Sequence, residues 1–458
     1  MYPLIPTPNA DSIKNLWSSF ISNNVYKTKN SRIFFVPHAG IEYSGFTSLE
    51  SYSKMIDNPQ NVWIFGTNHN QNLTNINNDT MFQNLISNFT KNGQDISKYI
   101  EVNYQNSKFA QLEHSININL AIISPLLNST SRIYPWLLPK IIDNRIFGII
   151  VNAIIFFLNA NDKNIVIFTS DMSHENNKSS QEILLSESDL VGSILNRNYD
   201  KITSKISQLS LCGSDNLILF LMLIDKIGAY PCIDSYNDSV GRQFLWTNDK
   251  INYIVSYLSM TCCFNEKEYL EYKFQTKCQL HKSFLMSLLY NQLKNGIANI
   301  ILPIIYQLND FNYGLFITLK NGNKTRACIG QFYCQYKTLY TNIFDISKLL
   351  LQDAIFRWKY PINLQDFILK NIKCEFTIMM NEQKRINPND FINYPGLQNK
   401  NNGYIIKCGS KNATFIPSVW KENPTWTATQ YIEQLIIKAG GCDNFNIFEL
   451  LTFETYVI

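Results

Sequence analysis

The sequence predicts two domains in series: an α/β layered domain with a mainly parallel central sheet, then an α+β domain. Length is the first observation, because 458 residues exceed what one hydrophobic core organises. In the first half, short and continuously apolar runs alternate with longer helical stretches, which is the pattern of a layered α/β domain. In the second half, strands and helices follow one another out of strict alternation, as they do in α+β domains.

The first-half runs are RIFFV (32–36), NVWIF (61–65), RIFGIIV (145–151) and NIVIF (164–168). They are rich in branched and aromatic side chains, as strands buried on both faces are. Helices are expected over 115–124 and 181–196. The stretch CCFNEKEYLEYKFQTKC (262–278) is polar and charged, and an amphipathic helix is expected over 279–293. The boundaries that follow are 1–262 for the first domain, 263–278 for a linker and 279–458 for the second domain. There, YGLFITL (313–319), the tetrapeptide KNGN (320–323) and TRACIG (325–330) read as a β-hairpin. Asn-Gly tolerates the positive φ that hairpin turns need. Further strands are expected at CEFTIMM (374–380) and GYIIKCG (403–409), and a helix over 427–439.

Composition removes several classes of function. The chain is 45% hydrophobic and 13% aromatic, ample for buried cores. Its net charge is only +4, with Lys and Arg scattered, so no nucleic-acid footprint stands out. The first residues, MYPLIPTPNADSIKNLW, lack a basic region followed by an apolar one, and no run of about twenty apolar residues occurs. The expectation is a cytoplasmic protein with no membrane and no nucleic-acid partner. The ten cysteines include no CxxC, so reduced thiols are expected rather than a zinc ribbon or a redox dithiol of that type.

Five histidines occur in the chain, and His38, His69, His114 and His174 fall in its first half. His38 follows RIFFVP, His69 follows NVWIFGTN, and Asp171 and His174 follow NIVIFTS. Three strands thus deliver ligand-type side chains just past their carboxyl ends, the edge at which α/β sheets bind ligands. His114 opens an expected helix. A lone histidine is more often a packed residue than a ligand, but three strand ends pointing the same way make a shared site the better reading. Imidazole is the commonest metal ligand, and a site with an open position needs only about three protein ligands. Cys212, in SLCGSDNLILFLMLI, is the third candidate. Its place before an apolar helix predicts a thiol pKa lowered by the helix dipole. The alternative is a buried, inert cysteine.

The segments VPHAGIEYSG (36–45), GTNHN (66–70), EHSININL (113–120), SDMSH (170–174) and SLCGSDNL (210–217) resemble, in order and spacing, the signature segments of the Memo family. The resemblance implies a fold similar to class III extradiol dioxygenases. It also implies metal ligation by His38, His69 and Cys212, acid/base or supporting roles for Asp171 and His174, and a place lining the cleft for His114. Where the family usually has an aromatic residue this chain has Ile41, and ENNKSSQE (175–182) departs after SDMSH; both concern substrate shape. A thiolate ligand favours copper(I) while permitting iron(II), so dioxygenase chemistry does not follow from the fold.

The second half is similar to the AMMECR domain, through YGLFITLKNGNKTRACIG (313–330), FRWKYPI (356–362), GYIIKCGSKNATFIPSVW (403–420) and YIEQLIIKAGG (431–441). The family's Arg-Gly-Cys-Ile-Gly core reads Arg326-Ala327-Cys328-Ile329-Gly330 here, so this backbone position needs no positive φ. Cys328 is either a reactive thiol beside Arg326 or a small residue packed in a strand, and packing is the preferred reading.

These resemblances imply a redox-linked enzyme carrying one ion, iron(II) or copper(I), and taking a small-molecule or peptide ligand in the Memo cleft. The AMMECR half would act as a partner or substrate-presenting domain, and a radical-SAM protein as an external partner. A non-catalytic module binding phosphopeptide or metal, and a ring-cleaving extradiol dioxygenase, are the alternatives.

Overall fold

A computed structural model describes residues 10–23, 30–69, 114–128, 130–138, 144–240, 249–296, 300–322, 324–358, 362, 372–380, 383–441 and 448–457. Of the motif residues above, Asn70, Glu113, Asn323 and 359–361 lie outside them. The chain divides into two compact units, Met1–Lys277 with Pro303–Tyr306, and Cys278–Leu302 with Gln307–Ile458.

Among the described residues, the strands of the first unit are β1 (Ile33–Val36), β2 (Asn61–Thr67), β3 (Arg132–Leu138), β4 (Asn164–Thr169), β5 (His174–Lys178), β6 (Tyr230–Asp238) and β7 (Ile251–Cys263). Their order is β3-β2-β4-β1-β7-β5, with β6 also on β7. The first four are mutually parallel. Strand β7 joins β1 antiparallel and carries β5 and β6 antiparallel in turn.

The continuous apolar runs are explained by burial on both faces. Phe34 and Val36 of β1 face a core shared with Val62, Ile64, Ile165 and Ile167. Helices α1 (Ala10–Asn23), α2 (Ile41–Tyr52) and α3 (His114–Ile123) complete that core through Leu16, Leu49 and Ile122. Alternation along the strand sends Phe35 to the other face, 5.8 Å between ring centroids from Phe220. That face is covered by α4 (Asn144–Ala160) and, after α5 (Ser180–Leu195) and α6 (Tyr199–Ile206), by α7 (Ser214–Lys226).

Two expectations are corrected. RIFGIIV (145–151) is not a strand but the first part of α4, whose apolar sequence continues for 17 residues, too long for a strand. The neighbouring strand is RIYPWLL, in which Pro135 is tolerated because β3 lies at the sheet edge. The stretch 266–278, expected within a linker, is the first half of the 30-residue helix α8 (Glu266–Asn295). Its charges belong to a helix surface. The side chain of Asn265 caps it, accepting the N–H groups of Lys267 and Glu268 at 2.9 and 3.3 Å.

In the second unit, β8 (Leu315–Asn321), β9 (Lys324–Gln331), β10 (Ile372–Met379), β11 (Lys384–Ile386), β12 (Asn402–Cys408), β13 (Lys411–Phe415) and β14 (Glu449–Val457) form one sheet. Its order is β13-β12-β14-β10-β8-β9, with β11 on β14, and its pairings are antiparallel. The β8–β9 hairpin turns at Gly322, with φ +58°. Helices α9 (Leu339–Trp358), α10 (Pro388–Asn393), α11 (Pro417–Glu422) and α12 (Ala428–Lys438) accompany it. Trp420 of α11 stacks on Tyr431 of α12 at 4.2 Å. Cys328 on β9 packs against the apolar cluster around Phe316 and Phe453, and its sulfur accepts the Thr318 hydroxyl at 3.4 Å. Cys408 is disulfide-bonded, so uniformly reduced thiols do not describe this chain. Among the described residues, no helix is long and apolar enough to cross a membrane.

A buried carboxyl fixes the segment after β4. Glu187 of α5 is 0% exposed and accepts the Ser173 N–H at 2.9 Å, the Ser256 hydroxyl at 2.5 Å and the Tyr236 hydroxyl at 2.5 Å. Burial raises its pKa, against the pull of these donors. A carboxyl whose folded pKa lies above its unfolded value contributes stability below the unfolded value and loses it as pH rises through the folded one. Replacing Glu187 by Gln keeps the shape without the charge. The stability of Glu187→Gln relative to the parent chain, measured by urea unfolding, should therefore rise between pH 5 and pH 8; a constant difference would show an ordinary carboxyl. Glu187→Leu, which leaves the donors unmet, should cost about 1–3 kcal/mol or more at either pH.

Candidate metal centre

Strand register assembles the site. In the parallel β1–β4 pair, Val36 lies opposite Thr169, so His38 and Asp171, each two residues further on, leave the sheet at the same level. His69 likewise stands two residues past Thr67, the last residue of β2. Cys212 comes from the chain before α7, where Leu211 bridges Ser173. A Cβ at Gly213 would collide with the side chains of Thr67 and Ser170, which accounts for glycine after the cysteine. Gly66 is equally constrained: a Cβ there would lie 2.5 Å from Ile116 and 2.7 Å from Ser115 of α3. These two close approaches seat α3 and α7 on the strand ends.

His38 is fully buried. Its Nδ1 meets Thr169 Oγ1 at 3.1 Å and its Nε2 meets Cys212 Sγ at 3.2 Å. Its backbone N–H and that of Ala39 donate to Asp171 Oδ1 at 2.8 and 3.2 Å, leaving Oδ2 facing the imidazoles. The rings of His38 and His69 are 5.1 Å apart, and His114 stacks on His69 at 4.3 Å. His174 Nδ1 meets the Tyr253 hydroxyl at 2.7 Å, and its Nε2, buried and without a hydrogen-bond partner, lies 3.8 Å from Asp171 Oδ2. The Cys212 sulfur accepts the Asp171 N–H at 3.1 Å.

His38, His69 and Cys212 each offer a donor atom, and these atoms all lie within 4.8 Å of one another. Asp171, His174 and Cys212 form a second such group, which the sequence did not suggest. His114 belongs to neither group and stands beside them, against His69. Thr169, Ser170, Tyr253 and Asn216 were also missed. Thr169 orients His38, Ser170 accepts the Gly213 N–H at 2.9 Å, and Asn216 donates to the Thr169 carbonyl at 2.8 Å. Common hydroxyl and amide residues carry no signal of such roles in one sequence.

The electrostatics suit a cation. Burial, aided by the neighbouring histidines, holds His38 well below the usual imidazole range and His174 at about 4, so both are neutral near pH 7 with lone pairs available. Burial lifts Asp171 to about 6, against the two backbone N–H groups it accepts. The expected lowering of the Cys212 pKa is not found: burial first, and the Asp171 carboxylate second, push the thiol up. The sulfur sits two residues ahead of α7, and desolvation outweighs the helix dipole.

Residues 6–259 match the family model described as Memo-like protein, and residues 263–458 match that of AMMECR1. A MEMO1 family protein of Thermoplasma volcanium is 24% identical over 246 residues, covering 50% of this chain and 84% of that protein. An uncharacterized protein of Pyrococcus horikoshii, known from its crystal structure, is 18% identical with a TM-score of 0.32, over 39% of this chain and 88% of that one. The chain therefore belongs to the Memo-like family and carries an AMMECR1 domain after its Memo-like part.

Proposed function

We propose that this chain is a metal-dependent, redox-linked enzyme whose single ion, iron(II) or copper(I), is held by His38, His69 and Cys212. The convergence of two imidazoles and one sulfur within 4.8 Å supports this reading more than any other observation. The donors fit such an ion: neutral imidazole serves both metals, and sulfur adds preference for the softer one. When bound, the ion supplies a Lewis-acidic, redox-capable centre with open coordination positions.

The remaining residues act around it. Thr169 at His38 Nδ1 leaves Nε2 to face the sulfur. Asp171 ties His38 to the end of β4 through two backbone bonds. Asp171 Oδ2 and His174 Nε2, 3.8 Å apart, can hold or exchange a proton with a substrate beside the ion. Tyr253 fixes the ring of His174 from the other side. The substrate would be a small molecule or a peptide end entering past His114 and His174. A radical-SAM protein is the proposed partner, on the strength of the domain pairing, and its co-purification with the full chain is the check.

Metal analysis of the protein purified without chelators or metal-binding tags should find one equivalent of iron or copper. Absence of both, with none taken up on addition, would remove the proposal. Metal uptake without turnover across redox substrates would favour a binding module instead.

Cys212→Ser should weaken copper(I) far more than iron(II), because a hydroxyl keeps the size and loses the soft donor. Equal losses for both metals in competition titrations would place the sulfur outside the coordination sphere. Thr169→Val, which removes only the partner of His38 Nδ1, should lower metal affinity about 10–100-fold while the fold survives. An unchanged affinity would mean that His38 is oriented by something else.

A further inference from the structure

A second cluster of reactive side chains lies away from the metal centre, on the β6–β7 hairpin. Cys232 and Cys263 are both free and both buried, and their sulfurs are 3.1 Å apart, with the Cys232 thiol donating to Cys263 Sγ. In the antiparallel register Cys232 faces Thr261 and Tyr230 faces Cys263, so the cysteines stand two positions apart on one face of the hairpin. Cys262, opposite Pro231, points to the other face.

We propose that Cys232 and Cys263 are a redox-active dithiol that reduces a peroxide and closes to a disulfide.

Several features mark Cys263 as the attacking sulfur. It is the acceptor in the thiol pair and sits just ahead of the amino terminus of α8, where the helix dipole favours a thiolate. The hydrogen bond from Cys232 holds the Cys263 thiol below the ordinary cysteine range, against its own burial and the Glu268 and Asp234 carboxylates; the Lys54 ammonium pulls the same way as Cys232. Lys54 is fixed there by Asp234, whose carboxylate it pairs with and which also accepts the Ser51 hydroxyl at 2.5 Å. The register of β6 against β7 shifts between Ile233 and Ser235, and this irregularity sets Asp234 apart from the ladder. Tyr269, Tyr230 and Tyr272 pack around the sulfurs. Only a small oxidant fits such a site, since Cys263 is 6% and Cys232 1% exposed.

The chemistry balances with one hydroperoxide. The Cys263 thiolate attacks the O–O bond, so an S–O bond forms, the O–O bond breaks, and the leaving oxygen takes the Cys232 proton as it departs as an alcohol or water. The Cys232 thiolate then attacks the Cys263 sulfur. The S–S bond forms, the S–O bond breaks, and hydroxide leaves and is protonated to water. Two electrons pass from the two sulfurs to the peroxide.

The test treats the native full-length chain with hydrogen peroxide and reads mass and peptides. The expected result is a loss of two hydrogens, a cross-linked peptide joining 232 to 263, and reversal by dithiothreitol. A Cys262→Ser background assigns the bond to Cys263. Fragmentation between Cys262 and Cys263 in the unsubstituted chain makes the same assignment without a mutation. In Cys232→Ser the cross-link should vanish and Cys263 should proceed to sulfinic acid, because no partner traps the sulfenic form. The proposal is overturned if the native chain gives no 232–263 cross-link under peroxide, if Cys263 over-oxidises with Cys232 present, or if the bond forms only after unfolding.

Discussion

The parallel pairing of β1, β2 and β4 is the constraint on which the candidate metal centre depends. Their hydrogen bonds set Val36 against Thr169 and Phe65 against Phe168, and the chain then leaves the sheet within two residues of each strand end. His38, His69 and Asp171 are therefore brought to one edge by backbone bonding alone. A slip of one residue in any pair would force both close-packed faces of the sheet to repack, so the fit of Phe34, Ile64 and Ile167 in one core guards the geometry of the site. The core and the centre are two consequences of the same register.

Burial has a different result for each polar group at this edge. An isolated charge in such surroundings is costly, and the groups respond by staying neutral or by finding donors. His38 and His174 stay neutral. Asp171 accepts two backbone N–H groups, and Glu187 below it accepts three donors. Away from this edge, Lys54 and Asp234 take the other course and pair directly. Asp171 Oδ2 and His174 Nε2, 3.8 Å apart, face one another beside Cys212.

What the sequence disclosed follows from these physical causes. Strands β1, β2 and β4 were legible because burial on both faces leaves an unbroken apolar run. The same signature misled at 145–151, where a helix packed on the sheet is apolar for longer than the window considered. Strands β5, β6 and β7 escaped notice. β7 places Ser256, Ser259 and Thr261 in buried positions, so its pattern reads as polar. The first half of helix α8 was hidden by the opposite effect, a solvated helical surface resembling a linker, whereas its second half lies where a helix was expected, over 279–293. The hairpin at Gly322 was readable because turn chemistry is local. At the site, residues that follow strands were legible by position, whereas Thr169 and Tyr253 act through geometry that only the folded chain creates.

The same side-chain type acquires separate chemistry from its neighbours, and the cysteines make this plain. Cys212 lies beside the Asp171 carboxylate in a desolvated cleft, so its proton is held firmly, and under the proposed function its thiolate would become favourable when a cation takes the proton's place. Metal binding there would then be linked to ionisation of the sulfur itself, and a metal-free Cys212 should be a poor nucleophile. Cys263 is also desolvated, but its sulfur accepts the Cys232 thiol, and that bond lowers its pKa against burial and the Glu268 and Asp234 carboxylates. Cys328, on its strand, meets a threonine hydroxyl and an apolar cluster. Burial alone therefore does not decide what a thiol does; the sign of the nearest charge or dipole does.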